Sequence, residues 1–222
     1  MSCLEKNKDP FFDANKVKYI SKLLQDISDK HKNIPFFIHL HLMETHTIKS
    51  IPYENGMIES DKNIKNIYLS LKNNKLLNKT LFIISSDHTQ GWKTLKPIPL
   101  LIRFPNLEHA GEHIVINTQM IDLPQTILDY IGIQKPAFME GKSLLYPNRI
   151  EQNRPIYSIN ELNVKNGIVI SNTNNYGVSQ IKVQVCNDYL LKDLDNNGKI
   201  TKILSFHGYS SVLACHKTFN HN

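Results

Sequence analysis

Residues 80–92 read TLFIISSDHTQGW, a run of strand-forming side chains that ends on an acid and an imidazole side by side. With almost no polar position in Leu81–Ile84, the run reads as a strand buried on both faces, the habit of parallel sheets. Such a strand delivers Asp87 and His88 to one point at its carboxyl end, where adjacent side chains can converge on a single cation.

The stretches on either side follow the same plan. PFFIHLHLM (35–43) alternates Phe36, Ile38, Leu40 and Leu42 with Phe37, His39, His41 and Met43, and every residue is large, which again predicts a strand covered on both sides. Before it, Val17, Ile20, Leu23, Leu24 and Ile27 recur at intervals of three and four, predicting an amphipathic helix from Asn15 to near His31 with Asp13 as its N-cap. After a loop ETHTIKSIPYENG (44–56), Ile64, Ile67, Tyr68 and Leu71 predict a second helix closed by NNK (73–75). IPLLIRF (98–104) is a third strand. Strands alternating with helices predict an α/β domain over residues 1–150, a largely parallel sheet flanked by helices, with ligands outside the carboxyl ends of its strands.

Downstream, EHIVINTQM (112–120) reads as a short strand or extended connection. DLPQTILDYIG (122–132) carries helix signals at both ends: Asp122 as cap, Pro124 in the first turn, Gly132 just past the last turn. Beyond residue 150 the short runs GIVIS, SQIKVQVC and KITKILSF, separated by Asn and Gly, predict a small antiparallel β subdomain over 151–222. Within it DLDNNGKIT (193–201) imitates a calcium loop, with Asp193, Asp195 and Asn197 before Gly198. Its twelfth position is Leu204 instead of a bidentate Glu, so a hairpin turned at NNG is the better account.

Composition narrows the function classes. The 222 residues are enough for one sizeable core. Against 20 acidic residues stand 26 basic ones, a net charge of +6 made mostly of scattered Lys without a basic block or arginine-rich arm, so nucleic acid is not an expected partner. Cys3, Cys186 and Cys215 fit neither a disulfide framework nor a zinc ligand spacing. The N-terminus has no signal-peptide pattern and no run is apolar enough for a membrane span, so as written the chain reads as soluble and cytoplasmic, with its compartment left open.

Three further residue groups bear on chemistry. His46, five residues past His41, leaves the neighbouring strand and can donate to an anionic oxygen or protonate a leaving group if that strand lies beside the one ending at Asp87. His39 and His41 look like an HxH metal pair, but a strand covered on both sides makes them core histidines, and they are left out of the site. Lys93 and Lys96, with Trp92, follow the Asp-His pair closely enough for an ammonium to bind a sulfate or phosphate oxygen, although solvated lysines are the simpler account.

Four segments in order, PFFIHLHLMETH, NKTLFIISSDH, PIPLLIRFP and MIDLPQTILDYIGI followed by GKSLL, resemble the sulfatases of the alkaline phosphatase superfamily over roughly residues 15–146. The resemblance implies hydrolysis of sulfuric esters and a divalent cation, calcium first, with magnesium, manganese or zinc as alternatives. It makes Asp87 and His88 metal ligands, His46 a catalytic contact to the transferred group and Lys93 a substrate-binding residue. The implied substrate is a sulfate-ester or phosphate-ester small molecule or glycan. Sulfatases also carry a nucleophile in C-x-P-S-R or S-x-P-x-R, and neither motif occurs here; Thr89 stands where Gly usually follows Asp-His. The chain therefore reads as a C-terminal portion whose missing N-terminal half is a separate chain or a lost one, inactive by itself. Two alternatives stay open: a phosphoglycerol or phosphoethanolamine transferase relative, and a non-catalytic remnant serving as an interaction module.

Overall fold

The computed structural model describes residues 12–31, 34–46, 52–89, 97–151, 153–160, 163–165, 168–170, 180–185, 188–195 and 199–207. The chain forms two compact units, Met1–Gly91 with Pro97–Gly111, and Trp92–Lys96 with Glu112–Asn222.

In the first unit α1 (Phe12–Lys30) and α2 (Tyr53–Asn73) pack on one another. Leu24 and Ile27 of α1 meet Leu71 of α2 and Leu76 and Leu77 of the turn beyond it; Ile38 and Phe82 close the same cluster from the extended segments. Burying each such side chain stabilises the unit by about 1.5–3 kcal/mol. Ser28 Oγ donates to the carbonyl of Asn74 at 3.0 Å, fixing the end of α2 against α1. The helix over 12–30 agrees with its periodicity. α2 starts at Tyr53, within what the sequence presents as a loop, because its first turns expose Tyr53, Met57 and Ile58 and so show no buried stripe.

β1 (Phe82–Ser85) pairs with β2 (Leu100–Arg103) in antiparallel register, Phe82 opposite Arg103 and Ser85 opposite Leu100. The expected parallel arrangement is not seen among the described residues, where every ladder is antiparallel. A parallel partner needs a crossover, usually a helix, whereas the connection over 86–99 carries Gly91, Pro97 and Pro99 and returns the chain beside β1 in the opposite sense. Residues 35–43 run without a strand assignment, and Phe37 is 81% exposed, so that segment is not covered on both sides.

In the second unit α3 (Asp122–Tyr130) ends as its sequence predicts. Gly132 has φ 74°, and the bonds Gly132 N to Asp129 O (3.2 Å) and Ile133 N to Leu128 O (2.8 Å) close a left-handed cap that a Cβ would strain. Its start differs from expectation. Asp122 does not cap its own helix: the fully buried carboxylate accepts from Gln119 N (2.7 Å), Lys142 N (2.9 Å) and Arg154 Nη2 (2.8 Å). The segment 112–120 carries no strand.

β3 (Ile156–Asn160), β6 (Gln180–Val185), β7 (Asp188–Leu194) and β8 (Ile200–His207) form an antiparallel sheet in that order, and β4 (Asn163–Lys165) pairs with β5 (Ile168–Ile170). The β7–β8 connection is a hairpin: Asp195 N donates to Lys199 O and Lys199 N to Asp195 Oδ1, both at 2.9 Å. Lys182 on β6 is buried, and burial holds its ammonium below the usual lysine range. Its folded pKa therefore lies under the unfolded one, about 10.4, so the charge penalises the fold at neutral pH and the penalty fades as pH rises through that window. Lys182→Met is expected to raise the thermal midpoint at pH 7 by a few degrees, what about 1 kcal/mol does in a chain of this size. The gain should shrink towards pH 10; a variant equally stabilised at pH 7 and 10, or destabilised, contradicts the account.

Candidate active site

The Asp-His pair lies just past β1. Asp87 Oδ1 accepts from the backbone N–H of His88 at 2.9 Å, turning the chain so that both side chains face one way, and His88 Nε2 lies 3.7 Å from Asp87 Oδ2. Nδ1 of His88 is 2.9 Å from the carbonyl oxygen of Thr89. A carbonyl only accepts, so in the neutral ring Nδ1 carries the proton and Nε2 keeps the lone pair on the Asp87 side.

His46 comes to the same place from the other segment. Its ring is edge-on to that of His88, with centroids 6.1 Å apart at 83°. The first unit thus brings together three of the four residues singled out by sequence: His46, Asp87 and His88. Lys93 lies outside the described residues, as do Trp92 and Lys96.

One residue set aside by sequence belongs with them. His41 Nε2 is 3.6 Å from Asp87 Oδ2, and its side chain is 59% exposed, not buried in a two-sided strand. The signal that could have found it is the density of imidazoles at 39, 41 and 46, all ahead of one loop. At this exposure the contacts of His41 and His88 with Asp87 contribute at most about 1 kcal/mol. What holds the group is the backbone beneath it.

That backbone is clamped from two sides. Asp13 Oδ2 accepts from the N–H groups of Met43 and Glu44, while His46 N donates to Met43 O at 3.0 Å. From α2, Asn63 Nδ2 donates to Glu44 Oε1 at 3.3 Å, and Gly56 approaches so closely that a Cβ there would stand 2.2 Å from the Glu44 carbonyl oxygen. Asp13 is thus no N-cap; its acceptors serve a loop thirty residues away.

The fit to a divalent cation is partial. A carboxylate oxygen and an imidazole nitrogen 3.7 Å apart can share one ion at bond lengths of about 2.0–2.4 Å. Among the described residues, however, no group of three or more His, Cys, Asp or Glu side chains is gathered as a metal would require. Nor, among them, is any helix long and apolar enough to cross a membrane.

Helices α1 and α2 and the strand pair β1–β2, with an Asp-His pair past β1 and His46 beside it, make a mixed α/β unit. The sulfatase family profile matches residues 5–133, more than half of the chain, and the chain belongs to the sulfatase family. A solved sulfatase structure from Bacteroides thetaiotaomicron, connected with the metabolism of multiple glycosaminoglycans, shares the fold at TM-score 0.56 and 16% identity over 88% of this chain. The chain spans 52% of that protein's length.

Proposed function

We propose that the chain is the part of a sulfuric ester hydrolase that holds the cation and the leaving-group side of the ester. The observation that carries this reading is the convergence of His46 on His88 and Asp87 from two separate segments. Asp87 and His88 Nε2 would hold the cation, calcium in the family's usual form, with the rest of its shell from water, the ester or polypeptide outside the described residues. When bound, the cation supplies positive charge opposite the ester oxygens.

His46 faces this point from its own loop, where its imidazolium can pass a proton to the departing alcohol oxygen as the S–O bond breaks. Lys93 is proposed to contact the sulfate as a point charge. Neither C-x-P-S-R nor S-x-P-x-R is present, so the nucleophile of this reading lies in polypeptide outside the 222 residues, and these residues by themselves are expected to release no sulfate. The family's largely parallel sheet belongs to this reading as well, with residues 35–43, which have no ladder among the described residues, as its further strand.

A second reading is supported by His41. With two imidazole nitrogens, of His41 and His88, 3.6 and 3.7 Å from one carboxylate oxygen, nitrogen donors suit zinc better than calcium, as in a phosphoglycerol or phosphoethanolamine transferase relative. Calorimetric titration of the chain with calcium and with zinc separates the two. Asp87→Ala is expected to weaken whichever ion binds by about a hundredfold, at least the loss seen when only a supporting residue of a metal site is removed. Binding that survives the substitution removes the metal role of Asp87; no binding of either ion to the parent chain leaves the interaction-module reading.

A further inference from the structure

We propose that Asp13 and Lys16, in the first turn of α1, are positioning residues that set where His41 and His46 stand over Asp87 and His88. The inference deepens the proposed function and rests on it for the meaning of the site. Asp13 is fully buried. Its Oδ2 takes the N–H groups of Met43 and Glu44, and its Oδ1 takes the ammonium of Lys16 at 2.9 Å. The same ammonium donates to the carbonyl oxygen of His41, also at 2.9 Å. Three backbone groups between residues 41 and 44 therefore end on two side chains of one helical turn.

A carboxylate with no exposed surface is tolerated only while donors fill its acceptor sites. Two of those donors are the loop's own N–H groups, so the loop cannot drift without stranding a buried charge. Since His41 and His46 flank the clamped residues, a shift at Met43 or Glu44 moves both imidazoles. An acid in the first turn of a helix also favours the helix through its dipole. That simpler role would leave the histidine rings where they are, and this difference is what an experiment can read.

The test is the ring contact itself. In NMR spectra of the parent chain, cross-relaxation between the ring protons of His46 and His88 is expected, with the edge-on pair Phe104 and His109, centroids 5.0 Å apart in the same unit, as internal control. Asp13→Ala is expected to abolish the His46–His88 contact and keep the Phe104–His109 contact, with Asp13→Asn in between. A folded Asp13→Ala protein that keeps both contacts overturns the proposal, and one that loses both shows general loosening and overturns it too. Where Asp13→Ala does not fold, Lys16→Met carries the test, since it leaves the carboxylate's bonds to Met43 and Glu44 and removes the ammonium that joins Asp13 Oδ1 to the His41 carbonyl. The His41 ring signals should then move while those of His109 stay, and an unmoved His41 refutes the clamp. No turnover is needed, so failure of the clamp and failure of the sulfatase reading show up separately.

Discussion

Asp122→Ala is expected to lower the stability of the second unit by roughly 3–5 kcal/mol, the usual loss when one member of a buried ion pair is removed. The carboxylate is wholly buried and accepts from Gln119 N, Lys142 N and Arg154 Nη2. Its removal strands the Arg154 guanidinium, whose Nη1 is already buried without a hydrogen-bond partner, and leaves two backbone donors to find others. Each stranded donor adds a penalty of about 1–3 kcal/mol, partly relieved by relaxation. Against a total of about 5–15 kcal/mol for a domain, the unit is left close to unfolding at body temperature. The thermal midpoint should fall by roughly 10 °C. The double variant Asp122→Ala with Arg154→Met should recover part of this, because an apolar pair has no charge to strand. A fall of only a degree or two in the single variant would show that the buried pair contributes little.

The second large effect concerns Gly56. Alanine normally favours a helix by about 1 kcal/mol over glycine. Here the added Cβ would stand 2.2 Å from the carbonyl oxygen and 2.9 Å from the carbonyl carbon of Glu44. Both are backbone atoms of the loop already tied to Asp13, so the conflict cannot be relieved by rotating a side chain. Overpacking of this kind costs about 1–3 kcal/mol, and the steric term outweighs the propensity gain. Gly56→Ala is therefore expected to destabilise the first unit by up to about 2 kcal/mol and to pull the His46 ring away from His88. Unfolding curves and the ring-contact measurement report the two consequences independently. An alanine variant more stable than the parent would mean that the loop yields easily.

Both effects act through contacts that a one-dimensional reading cannot see. Asp13 and Asp122 look like helix caps in sequence because each precedes an apolar-periodic run. In the fold their carboxylates reach Glu44 and Lys142, and nothing local announces those partners. α1 and the end of α3 were legible because periodicity and Gly132 act within a few residues. The start of α2 was not, since Met57 and Ile58 face outward. β1 and β2 were recognisable as strands, yet their relative direction depends on the connection between them, which composition does not fix. Asp87 and His88 could be singled out because a strand end is a local feature. His41 was hidden by an alternation of large residues that implied coverage Phe37 does not have.

The antiparallel ladder has a consequence for how this scaffold accommodates change. Ser85 is opposite Leu100, and its hydroxyl donates to the Pro99 carbonyl at 3.0 Å, so both ends of the 86–99 connection are tied together. Asp87 and His88 stand immediately inside one tied end. Chain inserted or deleted further along adds only about 0.6 kcal/mol of closure entropy per doubling of length. Loop exchange beyond Thr89 can therefore leave the paired acid and imidazole in their place.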